Sequence, residues 1–221
     1  MKIESETLKF LKDLEKHNDR EWFTAHKDQY AAALANMNLF KDAVVQQLNK
    51  KDLIQDGRVF RIYRDVRFSK DKAPYKNNFG IHFTRAEKER RGGYYLHIQP
   101  GGSFVGGGFW SPESQDLKRI RDEFAFDDKA IRKILSNKIF GKYFGTLNGE
   151  ELKTAPSGYE RDHPAIDLIR KKQYIISRNF KDKEVIDPGF LKETVLTFEA
   201  MRPFFDYMSE ILSTDLNGQI R

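Results

Sequence analysis

Leu8, Leu11 and Leu14 recur three residues apart within Ser5 to Lys16, which places them on one stripe of a short amphipathic helix. Asn18 then offers a cap and Glu21 answers it three residues later, so a second helix is expected to open there. Trp22, His26, Tyr30, Leu34, Met37, Lys41, Val44 and Leu48 keep near 3.6-residue spacing and carry that helix to about Lys50, with Asn36 or Asn38 as the place for a break.

After Asp56-Gly57 the period changes from 3.6 to 2, the mark of entry into a sheet. In a strand from Val59 to Phe68, Phe60, Ile62, Val66 and Phe68 would form the core face, interrupted by Arg64. Arg61, Tyr63, Asp65 and Arg67 would share the polar face. Ser69 to Asn78 reads as a loop around Pro74, presenting Lys70, Lys72, Tyr75 and Lys76. Phe79 to Arg85 and Gly93 to Gln99 form a β-hairpin pattern. Phe79, Ile81 and Phe83 match Tyr94, Leu96 and Ile98 as apolar faces, which leaves His82 and His97 together on the other face.

Ser103 to Trp110 is a further strand, and its glycines, Gly106 to Gly108, signal close approach by a ligand, a covering helix or another backbone. Their spacing fits neither a Walker A loop nor a dinucleotide fingerprint. Ser111-Pro112-Glu113 opens a helix carrying Leu117, Ile120 and Phe124, and a shorter one follows Asp127 or Asp128. Asn148-Gly149 suggests a hairpin turn between short strands at Tyr143 to Leu147 and Glu151 to Lys153. His163-Pro164 caps a short helix, Gln173 to Phe180 returns as a strand, and Asp187-Pro188 starts a long last helix kinked at Pro203. The expected fold is α+β: a central, mainly antiparallel sheet flanked by helices, with a helical N-terminus and a long C-terminal helix, in a single domain over residues 1–221.

Composition narrows the chemistry. The absence of cysteine removes disulfides, thiolate nucleophiles and cysteine-ligated zinc. No stretch has the apolar length of a signal segment or membrane span, so a cytoplasmic protein with no membrane partner is expected. The net charge of +6 is mild for 221 residues, but it is unevenly spread. From Arg58 to Lys76 seven basic residues face two acidic ones, a local balance of +5 on an otherwise near-neutral chain.

Arg61, Arg67, Lys70, Lys72 and Lys76 therefore form a candidate clamp for a small molecule bearing phosphate or carboxylate. Arginine grips such groups bidentately, and lysine adds point charge. Tyr63, Asp65, Tyr75 and Trp110 complete the candidate binding set, and His82 and His97 are the candidates for acid/base catalysis. The competing reading is internal pairing of these cations with Asp65, Asp71 and acids elsewhere, such as Glu21. No metal or other cofactor is expected, because His17, His26 and His163 follow no ligand spacing. Two alternatives use the same segment: a nucleic-acid binder extended through Arg85, Lys88, Arg90 and Arg91, and a module that docks an acidic protein.

NDREWF (Asn18 to Phe23), RIYRDVRFSKDKAPYK (Arg61 to Lys76), GGYYLHIQPGG (Gly92 to Gly102), GGGFW (Gly106 to Trp110) and HPAIDLIRKK (His163 to Lys172) together resemble an uncharacterised conserved family of bacteria and fungi, domain of unknown function 2461. The resemblance spans nearly the whole chain. It implies a single-domain protein whose signature residues mass in the basic segment, and it brings no assigned catalytic residues.

Overall fold

The computed structural model describes residues 1–87, 89–214 and 219. Its five strands are β1 (Ile54–Val59), β2 (Phe79–Arg85), β3 (Gly93–Ile98), β4 (Ser103–Phe109) and β5 (Tyr174–Phe180). They form one antiparallel sheet in the order β1-β2-β3-β4-β5, flanked by helices. The fold is α+β, with a helical N-terminus and a long C-terminal helix. Two compact units divide the chain: Met1–Thr84 with Tyr95–Val105 and Asn179–Leu196, and Arg85–Tyr94 with Gly106–Arg178 and Thr197–Arg221.

In the first unit, α1 (Ser5–Lys16) buries Leu8, Leu11 and Leu14 as their spacing demands. Two short turns of α2 (Arg20–Ala25) lead into α3 (Lys27–Leu48), which packs on β1 with Ala33, Met37, Phe40, Val44 and Leu48 buried. The expected single helix from Asn18 is thus broken, at His26 rather than at Asn36 or Asn38. The His26 Nδ1–H donates to the Trp22 carbonyl at 2.7 Å while its ring stacks on Trp22 at 4.0 Å, and its backbone leaves the helical region at ψ 22°. The cap of α2 is Asp19, whose Oδ1 accepts the Trp22 N–H at 2.8 Å. Asn36 stays inside α3 and caps α1 from a distance: its Oδ1 accepts the Glu4 N–H at 3.0 Å and the Thr7 hydroxyl at 2.9 Å.

The strand expected from Val59 to Phe68 is not formed. Phe60 makes the last rung, donating its N–H to the Gly80 carbonyl at 2.8 Å, and beyond it the segment pairs with itself. Tyr63 and Tyr75 form an isolated antiparallel bridge, flanked by Arg64 N–H to Pro74 O at 2.9 Å and Lys76 N–H to Ile62 O at 2.8 Å. The period-2 parity fails accordingly: Ile62 is fully buried, but Phe60 is 38% exposed and Phe68 97%.

The second unit holds α4 (Ser114–Phe126), α5 (Lys129–Leu135), α6 (Lys138–Phe144) and α7 (Ile166–Ile169), and ends in the larger part of α9 (Phe190–Ser213). A four-residue helix, α8 (Asp182–Val185), belongs to the first unit. The hairpin expected at Asn148-Gly149 is absent: α6 consumes Tyr143, while Asn148 bridges to Ile175 and Glu151 to Lys171. The glycines of β4 make room for protein. A Cβ on Gly107 would meet the Phe205 ring of α9 at 2.7 Å, and one on Gly108 would meet the Tyr174 carbonyl of β5 at 2.2 Å.

Candidate functional site

The Asn18 side-chain amide holds the basic segment in place. Its Nδ2 donates to the Tyr75 carbonyl and its Oδ1 accepts the Tyr75 N–H, each at 3.1 Å. Tyr63 pairs with one edge of this short arm, and Asn18 occupies the other as a third strand would. Phe23 stacks on the Tyr75 ring at 4.0 Å, and Asn77 Nδ2 donates to Glu15 Oε1 at 2.9 Å. The NDREWF motif and the basic segment are therefore the two sides of one junction. Tyr75 is buried in that junction as packing.

Part of the cationic cluster is neutralised. Arg64 pairs with Asp71, and Arg67 grips Asp65 through Nε at 3.0 Å and Nη2 at 2.6 Å. These arginine hydrogen bonds hold both carboxyls below the usual carboxylate range. Lys72 Nζ donates to the Val66 carbonyl at 3.0 Å. Among the described residues Arg61, Lys70 and Lys76 make no ion pair. Lys76 lies over the Phe60 ring at 5.9 Å, and burial, followed by the Arg61 charge, holds its ammonium below the ordinary lysine value. A recess of about 430 Å³ beside it is lined by Glu15, Asn18, Arg64, Asp71, Lys76 and Asn77 among others. Tyr63 stands 47% exposed.

The hairpin of β2 and β3 has the two faces its parity predicts. Phe79, Ile81, Phe83, Leu96 and Ile98 are fully buried, whereas His82, Tyr95 and His97 are half-buried and Thr84 is exposed. The Tyr95 hydroxyl donates to His97 Nδ1 at 3.1 Å, and His97 Nε2–H donates to Gln99 Oε1 at 2.8 Å. The His97 ring stacks on Phe104 of β4 at 4.8 Å. The Tyr95 ring sits across Gly80, where a Cβ would fall 2.4 Å from its hydroxyl and 3.1 Å from its ring carbons. His82 Nδ1 lies 3.4 Å from the Thr84 hydroxyl. Among the described residues no hydrogen bond joins the two histidines.

Burial holds both imidazoles below the ordinary histidine value, opposed at His82 by the Asp56 charge and at His97 by the Gln99 hydrogen bond. The neutral form of each ring is thereby favoured. Both nitrogens of His97 are engaged, whereas His82 has the Thr84 hydroxyl at 3.4 Å from its Nδ1.

Trp110, 43% exposed, follows β4 in the second unit. The arginines of the extended nucleic-acid stripe also belong there, and each has a carboxylate: Arg85 is buried against Asp206 at 2.5 Å, Arg90 holds Glu87 at 2.5 Å, and Arg91 holds Asp116. Lys88 lies outside the described residues. Sequence reasoning passed over Asn18 as a clamp, and Phe60 and Phe104 as neighbours of Tyr95. Phe104 could have been found from strand parity, since it alternates with buried Ser103 and Val105.

Among the described residues no group of three or more His, Asp or Glu is placed to hold a metal ion, and no described helix is long and apolar enough to cross a membrane. No curated protein and no solved structure matches the chain. The model of one family, described as Conserved hypothetical protein (DUF2461), does match, over residues 6–207, and the chain belongs to that family.

Proposed function

We propose that this protein binds a small anionic ligand, bearing phosphate or carboxylate, through Arg61 and Lys76, with Lys70 and Tyr63 at the rim. The observation that carries the reading is a pair of cations, Arg61 and Lys76, that make no ion pair among the described residues; burial first, and the Arg61 charge after it, hold the Lys76 ammonium below the ordinary lysine value. Like charges held together repel, and a bound anion turns that repulsion into two attractions. The pairs Arg64–Asp71 and Arg67–Asp65 fasten the loop rather than grip the ligand. If the ligand is also turned over, the chemistry these groups can perform is proton transfer by His82 beside an arginine-held oxyanion. A cytoplasmic setting fits a chain without cysteine.

Calorimetric titration with inorganic phosphate at low salt tests the reading. Arg61→Ala and Lys76→Ala are each expected to weaken binding about tenfold, while Arg67→Ala, whose arginine is already engaged by Asp65, changes it less than about twofold. Absence of phosphate binding, or binding indifferent to Arg61 and Lys76 in variants that keep the wild-type circular dichroism, overturns it.

A further inference from the structure

The anion reading leaves the neighbouring sheet face unexplained, and the inference that follows rests on that reading. From Lys76 a row of rings runs across the first unit: Phe60 under the ammonium, Tyr95 at 6.3 Å from Phe60, then Phe104 at 5.7 Å from Tyr95 with His97 stacked on it. All four rings keep part of their surface in water. A folded chain gains by burying such rings, so a cluster left half-open on one sheet face marks a surface built to be covered. Burial favours the neutral form of His82 and His97 beside the row, against the Asp56 charge at His82. Lys76 stands over the Phe60 end of the row.

We infer that the ligand joins an aromatic ring to its anionic group, as a nucleoside monophosphate does, with the anion on Arg61 and Lys76 and the ring stacked along Phe60, Tyr95 and Phe104. Gly80 is part of the device, since it lets the Tyr95 ring lie across β2 and present its other side. His82 and Thr84 flank the row on the same face and offer a neutral donor and acceptor to the edge of a base. One cationic end and one ring platform match one nucleotide. A strand would need cations repeated along its path, and Arg85, Arg90 and Arg91 are already held by carboxylates.

Stacking a base on an aromatic side chain is worth about ten- to a hundredfold in affinity. The test titrates inorganic phosphate, adenosine, the four common nucleoside monophosphates and a twelve-residue oligothymidylate into the wild type, Phe104→Ala and Arg61→Ala, with near-ultraviolet circular dichroism as the check on folding. At least one monophosphate should bind about tenfold or more tighter than phosphate. Phe104→Ala should erase that advantage and leave phosphate binding intact, while Arg61→Ala should weaken phosphate and monophosphate together. If every monophosphate binds no tighter than phosphate, the ring platform is overturned and the anion site stands. If phosphate itself fails to bind, the anion reading falls. An oligothymidylate that binds far more tightly than any monophosphate overturns the single-nucleotide inference in favour of a strand.

Discussion

Gly108 and Gly80 look alike in the sequence and differ in what they permit. Gly108 has φ +136°, and its missing Cβ would press on a backbone carbonyl of β5 that cannot retreat. Gly108→Ala should cost at least about 2 kcal/mol, read from the urea midpoint. At Gly80 the obstacle is the tip of Tyr95, which can swing aside. Gly80→Ala should therefore cost less than about 1.5 kcal/mol but break the Tyr95–His97 bond, visible as a changed tyrosine near-ultraviolet signal. An equal cost at the two positions would contradict this distinction. The sequence announced close approach at the β4 glycines without naming the neighbour, because Tyr174 and Phe205 arrive from about 65 and 100 residues further along.

His97 makes a pH-dependent contribution of known sign. Its folded value is depressed, so the unfolded chain takes up the proton more readily. The stabilisation is fully present above the unfolded value of about 6.5 and is lost as pH falls below it toward the folded value. Wild type and His97→Gln should therefore converge in urea midpoint between about pH 7 and pH 5. A gap that stays constant across that window would rule the mechanism out.

Among the elements, the segment from Phe60 to Asn78 departs furthest from its pattern. Its alternation was legible, but alternation buries a face only where a neighbouring strand continues, and here the pairing partner is the segment's own second arm. The β2–β3 hairpin lacked that ambiguity: it has partners on both sides in the sheet, and its parity was read correctly from residue types alone. Asn18 was legible as a cap, yet Asp19 performs that task and leaves the Asn18 amide for Tyr75. Asn18→Ala removes two part-buried hydrogen bonds and should cost about 1–3 kcal/mol. Amide exchange at Tyr75 should accelerate well beyond that at Phe79 in β2. Equal acceleration at both would show a general loss of stability instead of a freed arm.

For the whole molecule, the net charge of +6 misleads in one direction and the local excess in another. Composition located the excess within Arg58 to Lys76, but only the fold divides it into arginines that Asp65 and Asp71 neutralise and cations that remain available. Side-chain pairing depends on loop geometry, which residue types leave open. If Arg61 and Lys76 alone meet a nucleic-acid backbone, oligothymidylate affinity should fall with salt at a log–log slope no steeper than about −1.4. A slope of about −4 or beyond would require a far longer basic track.

Phe68 stands exposed at the tip of the loop that these ion pairs fasten, its adjoining backbone held by Ser69 N–H to Val66 O and Arg67 N–H to Asp65 Oδ1, each a long bond at 3.3 Å. Such a peptide bond is open to a protease of chymotrypsin's preference. Cleavage there divides the chain between a piece bearing Asn18, Arg61 and Tyr63 and a piece bearing Tyr75 and Lys76. The two cations of the proposed site would then sit on separate polypeptides, tied by the Tyr63–Tyr75 bridge and the Asn18 amide. An anion that bridges Arg61 and Lys76 would splice the nicked halves together, so the tenacity of the two fragments in its presence becomes a measure of occupancy.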